Sequence, residues 1–349
     1  MARRPRRAAL EVTLWITNVA KAFALQDSPL RLRGLALVCA MPRSATRAIF
    51  FCFVLLLFPH ARAQSPATNA APSSSADGAN RPLTLRRTRQ SASDLEVGGD
   101  LAGLPPGATR FLTGDDLLAL PQVTFHVSGD TNFADGTQIS GVRLEDLAKR
   151  IAPAPASAMA VAICDDKYRA NYPRDYLAAH HPVLVLTVNG QPPAGWPKDS
   201  QEHKYDMGPF LISHSQFVPA FKILSHSDEP QIPSGVLRLE FRNEKGVFAA
   251  IAPRGPHAQD TAVQAGMWIA RQNCFRCHNS GEEGGQKSGV SWKNLAALAA
   301  AAPEDFGGYV RNPVSKNAQA QMPGNPSYDE ATIGALVAYF QTFHSTAKP

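Results

Sequence analysis

Five consecutive residues, Cys274-Phe275-Arg276-Cys277-His278, form the pattern C-x-x-C-H. Two thiols one helical turn apart can bond the two vinyl groups on one edge of a porphyrin, and the following imidazole then faces the iron. A zinc site would need a second pair of Cys or His ligands, and none follows at ligand spacing. A redox C-x-x-C would need a βαβ context, which this sequence lacks. The pattern therefore predicts one covalent haem c, with His278 as an axial iron ligand.

The sixth iron ligand is predicted at Met322, which lies in the Pro- and Gly-rich segment 321–326. A thioether ligand favours ferrous iron and raises the reduction potential. Ser327 and Glu330 fit a capping box for a last helix, whose apolar residues share one face: Ile333, Leu336, Val337 and Phe340. The nearest rival, Met267, precedes the haem pattern on the same predicted helix as the two thiols.

The C-terminal part of the chain, residues 258–349, resembles a class I cytochrome c domain. The resemblance is carried by these pieces: Gly266-Met267-Trp268-Ile269, the C-x-x-C-H pattern, Tyr309-Val310-Arg311-Asn312-Pro313, Met322-Pro323 and an aromatic last helix. It implies an all-α fold in which the first and last helices cross. Gly266 would be the small residue at the crossing, and the candidate aromatic partners are Tyr339, Phe340 and Phe343.

One departure from that family concerns the carbonyl that orients the haem histidine. Many relatives carry Gly-Pro shortly after this histidine, and a carbonyl there accepts the imidazole N–H. This chain has Ser288-Gly289-Val290 instead. A metal-bound histidine commonly donates its second N–H to such a partner, so the carbonyl that orients His278 is left open by the sequence.

The first 63 residues predict an export signal. A basic segment begins at Met41, eleven apolar residues follow at 48–58, and Ala61-Arg62-Ala63 fits a cleavage site. Eleven apolar residues are too few to span a bilayer, which favours a cleaved signal peptide at 41–63. We expect translation to start at Met41, so that residues 1–40 are a mis-assigned start; a long leader extension is the alternative.

Charge and cysteine usage agree with export. Residues 1–63 hold 10 of the 35 Lys and Arg residues and 2 of the 29 Asp and Glu residues, which leaves 25 basic against 27 acidic side chains. The basic balance therefore belongs to the leader and gives no reason to expect a nucleic acid partner. Cys39 and Cys52 lie in the leader, so Cys164 has no partner for an intrachain disulfide. We expect a periplasmic protein of a Gram-negative bacterium, with no transmembrane segment after signal cleavage.

The rest of the chain predicts a flexible linker at 64–92, rich in Ala, Ser, Pro and Gly, and one mixed α+β domain at 93–245, followed by a second linker at 246–257. Asn189-Gly190 is a strong turn signal after one of the predicted strands. Helices are expected at 113–120 and 141–150, and strands at 123–127, 158–164, 183–188 and 236–241.

The order of these elements resembles the sulfite-oxidase-type molybdopterin-binding domain. The resemblance covers about residues 110–242 and is carried by Leu117-Leu118-Ala119-Leu120-Pro121, Gly141-Val142-x-Leu144-x-Asp146-Leu147, Asp166-x-Tyr168-Arg169, Pro182 to Gly190, and Gly208-Pro209. Catalytic members hold molybdenum through one Cys after the strand that here runs 125–129, and this chain has no Cys there. Cys164 lies one strand later and is expected to be a buried small apolar residue. We therefore expect no molybdopterin.

Other polar residues of this domain are expected to have no site role. The pair His180-His181 is expected at the surface. Three basic residues near sheet edges are expected to be solvated: Arg169, Arg174 and Lys222. Three histidines in loops give only a weak indication of a metal: His203, His214 and His226.

Two functions from different classes fit these features. The favoured one is a periplasmic monohaem cytochrome with no catalytic residue, which carries electrons between redox partner proteins: a dehydrogenase donor, and an oxidase or another cytochrome as acceptor. Its α+β domain would then serve docking only. The alternative is a molybdopterin oxidoreductase, similar to a sulfite dehydrogenase, that passes electrons to its own haem. The missing Cys favours the carrier. The presence of a domain similar to sulfite oxidase and a domain similar to cytochrome c in one chain favours the enzyme. A third possibility, a subunit of a larger dehydrogenase, is not separated from the carrier by sequence.

Overall fold

The computed structural model describes residues 83–152, 158–196 and 207–344. The expectations for the start, the signal peptide, the linker up to residue 82 and His203 lie outside the described residues. Within them the fold is mixed α and β. Two sheets and four short helices occupy residues 95–249, and five helices with a two-residue hairpin occupy residues 261–341.

The first sheet contains five strands in the order β2-β1-β11-β5-β6. Strands β1 and β11 are parallel, and the other neighbours are antiparallel. The strands are β1 Leu95–Gly99, β2 Arg110–Leu112, β5 Ala158–Cys164, β6 Arg169–Tyr172 and β11 Val236–Asn243.

The second sheet contains four antiparallel strands in the order β3-β4-β7-β8. The strands are β3 Val123–His126, β4 Gln138–Arg143, β7 Val183–Val188 and β8 Leu211–Ser213. Two hairpins complete the strands: β9 Lys222–Ile223 with β10 His226–Ser227, and β12 Asn279–Ser280 with β13 Glu283–Gly284.

Two of the four short helices begin at a residue whose side chain caps them, Thr113 and Asn243. Thr113 caps α1 (Gly114–Leu118) in a capping box with Asp116, within the helix expected at 113–120. Helix α2 runs from Leu144 to Ile151, later than expected, because the preceding residues extend β4. Helices α3 (Arg174–His180) and α4 (Glu244–Ala249) complete this part. Asn189 and Gly190 both have positive φ, at 49° and 73°, as the predicted tight turn requires.

Strand β5 separates two apolar cores, because successive side chains of a strand point to opposite faces. Ala158, Ala160, Ala162 and Cys164 lie in the sheet core, which is the cluster around Leu95, Leu112, Tyr172 and Phe241. The alternate residues Met159 and Val161 lie in the helical core, the cluster around Ile269, Phe275, Trp292, Leu336 and Phe340. The strand is therefore buried on both faces. One face lies in the sheet core, and the other packs against the C-terminal helices.

Five helices form the C-terminal part: α5 Thr261–Asn273, α6 Trp292–Ala301, α7 Pro303–Arg311, α8 Pro313–Lys316 and α9 Glu330–Gln341. Helices α5 and α9 cross at Gly266, as predicted. A Cβ atom at Gly266 would lie 2.0 Å from the carbonyl oxygen of Ala335 and 2.7 Å from the Cβ of Tyr339. Only a residue without a side chain permits this approach. No helix within the described ranges is long and apolar enough to cross a membrane.

The start of α9 differs from the predicted capping box. The N-cap is Asp329, whose carboxylate accepts from the backbone amide of Thr332 at 2.8 Å. Ser327 lies two residues outside the helix. A carboxylate at the N-cap accepts a hydrogen bond from a free backbone amide and interacts favourably with the helix dipole. The Ser-x-x-Glu pattern does not distinguish a cap at Ser327 from one at Asp329.

Candidate functional site

The C-x-x-C-H segment is a compact turn at the end of α5. Cys274 is the C-cap residue of that helix. The backbone amides of Cys277 and His278 both donate to the carbonyl of Cys274, at 3.2 Å and 3.0 Å. Both thiols are half-buried. The structure thus places the two predicted attachment residues and the predicted iron ligand within one turn.

Two glycines pack directly on this turn. A Cβ atom at Gly285 would lie 1.7 Å from the carbonyl oxygen of Arg276, and one at Gly284 would lie 2.6 Å from that of His278. Gly284 also has a φ of 90°, which side chains rarely adopt. The amide of Gly285 donates to the carbonyl of Phe275 at 2.9 Å. The backbone of this glycine pair therefore holds the pentapeptide in shape.

The imidazole of His278 is oriented by a carbonyl that the sequence left open. Its Nδ1 donates to the carbonyl oxygen of Val290 at 2.6 Å. In this tautomer Nε2 keeps its lone pair, which is the form that binds a metal. His278 is buried, and burial lowers the pKa of its imidazole, which favours the neutral ring. Val290 is held in turn by its own amide, which donates to the hydroxyl of Ser288 at 3.1 Å.

Met322 lies against the same apolar cluster as Cys274. Both side chains are partly buried and pack on the helical core. The loop of Met322 is anchored by Asn325, whose backbone amide and side-chain amide both donate to the carbonyl of Val310, at 3.1 Å and 3.2 Å. The structure therefore brings the predicted thioether to the same apolar core that Cys274 of the C-x-x-C-H turn contacts.

The chemistry of these donors fits a c-type haem. Two thiols at the end of a helix suit thioether attachment, and an imidazole with a fixed tautomer and a thioether suit the two axial positions. Apolar and aromatic side chains line this region through the helical core. Among the described residues, no group of three or more His, Cys, Asp or Glu side chains is arranged to hold a metal ion.

The C-x-x-C-H turn is hydrogen-bonded to the first sheet. The backbone amide of Arg169 in β6 donates to the carbonyl of Arg276 at 2.9 Å, and the amide of Gln286 donates to the carbonyl of Lys167 at 3.0 Å. The guanidinium of Arg276 donates to the hydroxyl of Tyr168 at 3.2 Å. The α+β part is thus in direct contact with the middle of the C-x-x-C-H pattern.

Glu283 links the two parts by ion pairs. Its carboxylate accepts from Arg169 at 2.8 Å and also pairs with Arg242. Arg169 is buried, so the expectation that it is solvated is wrong. A charge buried this far needs a partner, and the partner lies 114 residues away in sequence. Arg174 and Lys222 are exposed, as expected.

Side chains of α5 extend this contact inward. The side-chain amide of Gln272 donates to the carboxylate of Asp228, and its oxygen pairs with Nε2 of His226. Nδ1 of His226 pairs with the hydroxyl of Tyr328 at 2.9 Å. Burial lowers the pKa of His226, which favours its neutral form. A buried polar network therefore joins the 222–229 segment to helix α5 and the start of α9.

His180 and His214 are buried rather than exposed. Nε2 of His180 pairs with the carboxylate of Asp228 at 2.8 Å, which corrects the expected surface position of this residue. The physical reason is that α3 ends against the 220–231 segment, while His181 turns outward with a φ of 47° and is exposed. His214 pairs with the hydroxyl of Tyr176 at 3.0 Å, and burial lowers the pKa of His214 to about 3.

Among its described residues, the α+β part offers no exposed cysteine thiol of the kind that molybdenum needs. In the family pattern, the protein ligand of molybdenum would lie at 125–129. His126 and Ser128 are exposed there, and neither supplies a soft anionic sulfur. Cys164 lies in the sheet core, as expected, and burial raises the pKa of its thiol well above the usual range. A protonated thiol inside an apolar core is a poor metal ligand.

Several residues of the site carry no sequence signal that names them. Val290 contributes only its backbone carbonyl. Glu283 pairs with Arg169, which lies 114 residues away in sequence. The pair Gly284-Gly285 offers a partial signal, because two successive glycines after the pattern indicate a close backbone approach.

No protein-family model matches the chain, and no curated protein matches it. Among solved structures, six chains match. One is the sulfane dehydrogenase SoxCD from Paracoccus pantotrophus, which is 16% identical to this chain with a TM-score of 0.28. The match covers 50% of this chain and 45% of the SoxCD chain, so this chain spans less than half of the length of that structure.

Proposed function

We propose that this protein is a periplasmic monohaem cytochrome c that carries electrons between redox proteins. Haem c would be attached to Cys274 and Cys277, with His278 and Met322 as axial ligands. The observation that carries the proposal is the hydrogen bond of 2.6 Å from His278 Nδ1 to the carbonyl of Val290. It fixes the ring and its tautomer beside two thiols, which is what axial ligation requires.

When bound, haem c supplies a one-electron couple whose potential depends on its axial ligands and surroundings. The chain's own residues prepare this site. The Val290 carbonyl holds the His278 ring and raises its basicity. Aromatic residues of the helical core, among them Phe275 and Trp292, exclude water from one side of the turn. Asn325 anchors the loop that bears the thioether.

The α+β part would serve as a fixed docking partner of the cytochrome part. Its bonds to the C-x-x-C-H turn, through Arg169 and Lys167, support a rigid role rather than a tether. Its donors do not fit molybdenum, so the enzyme alternative gains no support from the site. Electron donors and acceptors would then be proteins of the same compartment.

The test is to express the full chain in a host that exports proteins and attaches haem c. We expect intact mass and the pyridine haemochrome spectrum to give one haem per chain, and elemental analysis to give iron without molybdenum. The double variant Cys274→Ala/Cys277→Ala should carry no covalent haem. Cys164→Ala removes the remaining thiol of the described residues and is the matched control, which should keep its haem.

Fractionation of the same host tests the compartment. We expect the protein in the periplasmic fraction, with Gln64 as its first residue by N-terminal sequencing. A cytoplasmic protein that starts at Met1 would contradict the export proposal. The haem proposal would still be tested separately, by the intact mass.

A further inference from the structure

A cavity lies apart from the candidate haem site, between α3, the 220–231 segment and α5. Its walls include four aromatic side chains, Tyr176, Phe221, Phe248 and Trp268, and the imidazole of His180. None of its lining residues belongs to the C-x-x-C-H turn or to the Met322 loop. The proposed electron carrier makes no use of this space.

Asn171 supplies an unpaired acceptor at the cavity. The residue is buried, with 8% of its surface exposed, and it lines the cavity from β6. Its Nδ2 donates to the carbonyl of Arg169 at 3.5 Å, whereas its Oδ1 has no hydrogen-bond partner among the described residues. A buried acceptor without a partner is costly and rare in folded proteins. A ligand that donates a hydrogen bond would satisfy it.

His180 supplies a second polar group at the cavity. Because the Asp228 carboxylate can only accept, the bond of 2.8 Å requires a proton on Nε2 of the imidazole. No hydrogen bond to Nδ1 occurs within the part of the chain that the structure describes. Among the described residues that line the cavity, Asn171 therefore supplies a buried acceptor without a partner.

Three charged side chains line the cavity, and two of them, Asp228 and Arg271, are paired with other side chains. Asp228 accepts from His180, from Gln272 and from the backbone amide of Ala220 at 3.3 Å. Arg271 pairs with Glu244 at 3.2 Å, and its guanidinium carbon lies 3.8 Å from the ring centroid of Phe248 and 4.6 Å from that of Trp268. The third, Asp175, is exposed, and its carboxylate accepts from the backbone amide of Tyr176 at 2.9 Å. No buried charge at the cavity therefore lacks a partner, and an uncharged ligand is favoured.

We propose that this cavity binds a small neutral aromatic molecule with a hydroxyl group, of the phenol class. The ring would pack on the aromatic walls, where flat apolar groups pack well, and the hydroxyl would donate to Oδ1 of Asn171. This binding site does not depend on the haem proposal, since its lining residues are separate.

The test is calorimetric titration of the full-length exported protein with phenol, anisole and sulfite. Anisole keeps the ring and lacks the donor, and sulfite represents small oxyanions. We expect saturable binding of one phenol per chain, with anisole bound about tenfold more weakly because Asn171 stays unpaired. Equal affinity for phenol and anisole, absence of phenol binding, or preference for sulfite would each overturn the proposal.

Three variants locate the binding. Asn171→Leu keeps the size and removes the acceptor, and we expect the phenol-to-anisole ratio to fall close to one. Ala220→Trp fills the cavity from an exposed position and should abolish phenol binding. Val218→Trp is the control, because Val218 is 61% exposed in the same loop and does not line the cavity; it should bind phenol as the unchanged protein does. An unchanged ratio in Asn171→Leu, or unchanged binding in Ala220→Trp, would contradict this site.

Discussion

The backbone amide of Arg169 donates a hydrogen bond of 2.9 Å to the carbonyl oxygen of Arg276. Arg169 belongs to β6, the edge strand of the first sheet, and Arg276 lies between the two thiols of the C-x-x-C-H pattern. An edge strand presents backbone groups that need partners, and here the C-x-x-C-H turn supplies one. The α+β part and the C-terminal helical part therefore share backbone hydrogen bonds at the candidate site.

The ion pairs at this contact should contribute more to the free energy of unfolding than ion pairs on the surface do. Glu283→Ala leaves the buried guanidinium of Arg169 without its carboxylate, and removing one partner of a buried pair costs about 3–5 kcal/mol. We expect that loss in the free energy of unfolding, measured by urea titration and followed by circular dichroism.

Glu330→Ala is the matched control for that change. Glu330 pairs with Arg311 at 2.8 Å, but its side chain is 89% exposed, so its loss should cost less than about 1 kcal/mol. Equal effects of the two variants would show that the Arg169–Glu283 pair is not buried in solution.

At the crossing of α5 and α9, replacing two glycines by alanine should change the stability of the protein in opposite directions. Gly266→Ala places a methyl group against the carbonyl of Ala335 and should destabilise the protein by about 1–3 kcal/mol or more. Gly334→Ala, in the same pair of helices, meets no atom within 4 Å and should stabilise it by about 0.5–1 kcal/mol. Denaturant unfolding of both variants checks this. A Gly266→Ala protein as stable as the parent would contradict the close crossing.

Local patterns predicted the parts of the fold that depend on neighbouring residues. The turn of C-x-x-C-H, the β5 strand and the capped α1 are each set by a few consecutive residues. Gly266 was predictable as well, because the resemblance to cytochromes c implied a small residue at one helix position.

Long-range pairs could not be predicted in the same way. The Val290 carbonyl carries no side-chain signal, and the Arg169–Glu283 pair joins residues 114 positions apart. His180 shows the same limit: only the packing of the 220–231 segment on α3 decides that it is buried with Asp228 while His181 is exposed. Periodicity and capping rules describe neither choice.

The buried His214 predicts a pH-dependent stability. Burial lowers the pKa of His214 to about 3, and the neighbouring His180 lowers it further. Between the usual value of 6.5 and 3 the unfolded chain binds a proton that the folded protein does not, so stability falls as pH falls through this range. The contribution is about 1.4 kcal/mol for each pH unit.

His214→Gln tests that contribution, because Gln can still pair with the hydroxyl of Tyr176 and does not titrate. We expect the variant to lose less stability than the parent between pH 6.5 and pH 4, measured as the free energy of unfolding at each pH. His257→Gln removes an exposed histidine and should follow the parent profile. Parallel profiles for the parent and His214→Gln would mean that another group causes the loss.

Met322→Ala should separate attachment of haem from its axial ligation. Haem should stay bound through Cys274 and Cys277, but the sixth iron position should open, because no thioether remains in the anchored loop. We expect carbon monoxide to bind the reduced protein, the reduction potential to fall, and the near-infrared absorption band of a thioether–iron bond to disappear.

Met267→Ala is the control for this prediction. Met267 is also partly buried against the helical core, so its loss removes a similar apolar contact from the same cluster. Because it precedes the two thiols on α5, it should leave the near-infrared band and the lack of carbon monoxide binding unchanged. If the band disappeared in Met267→Ala and persisted in Met322→Ala, the thioether ligand would be Met267 and the Met322 loop would have only a packing role.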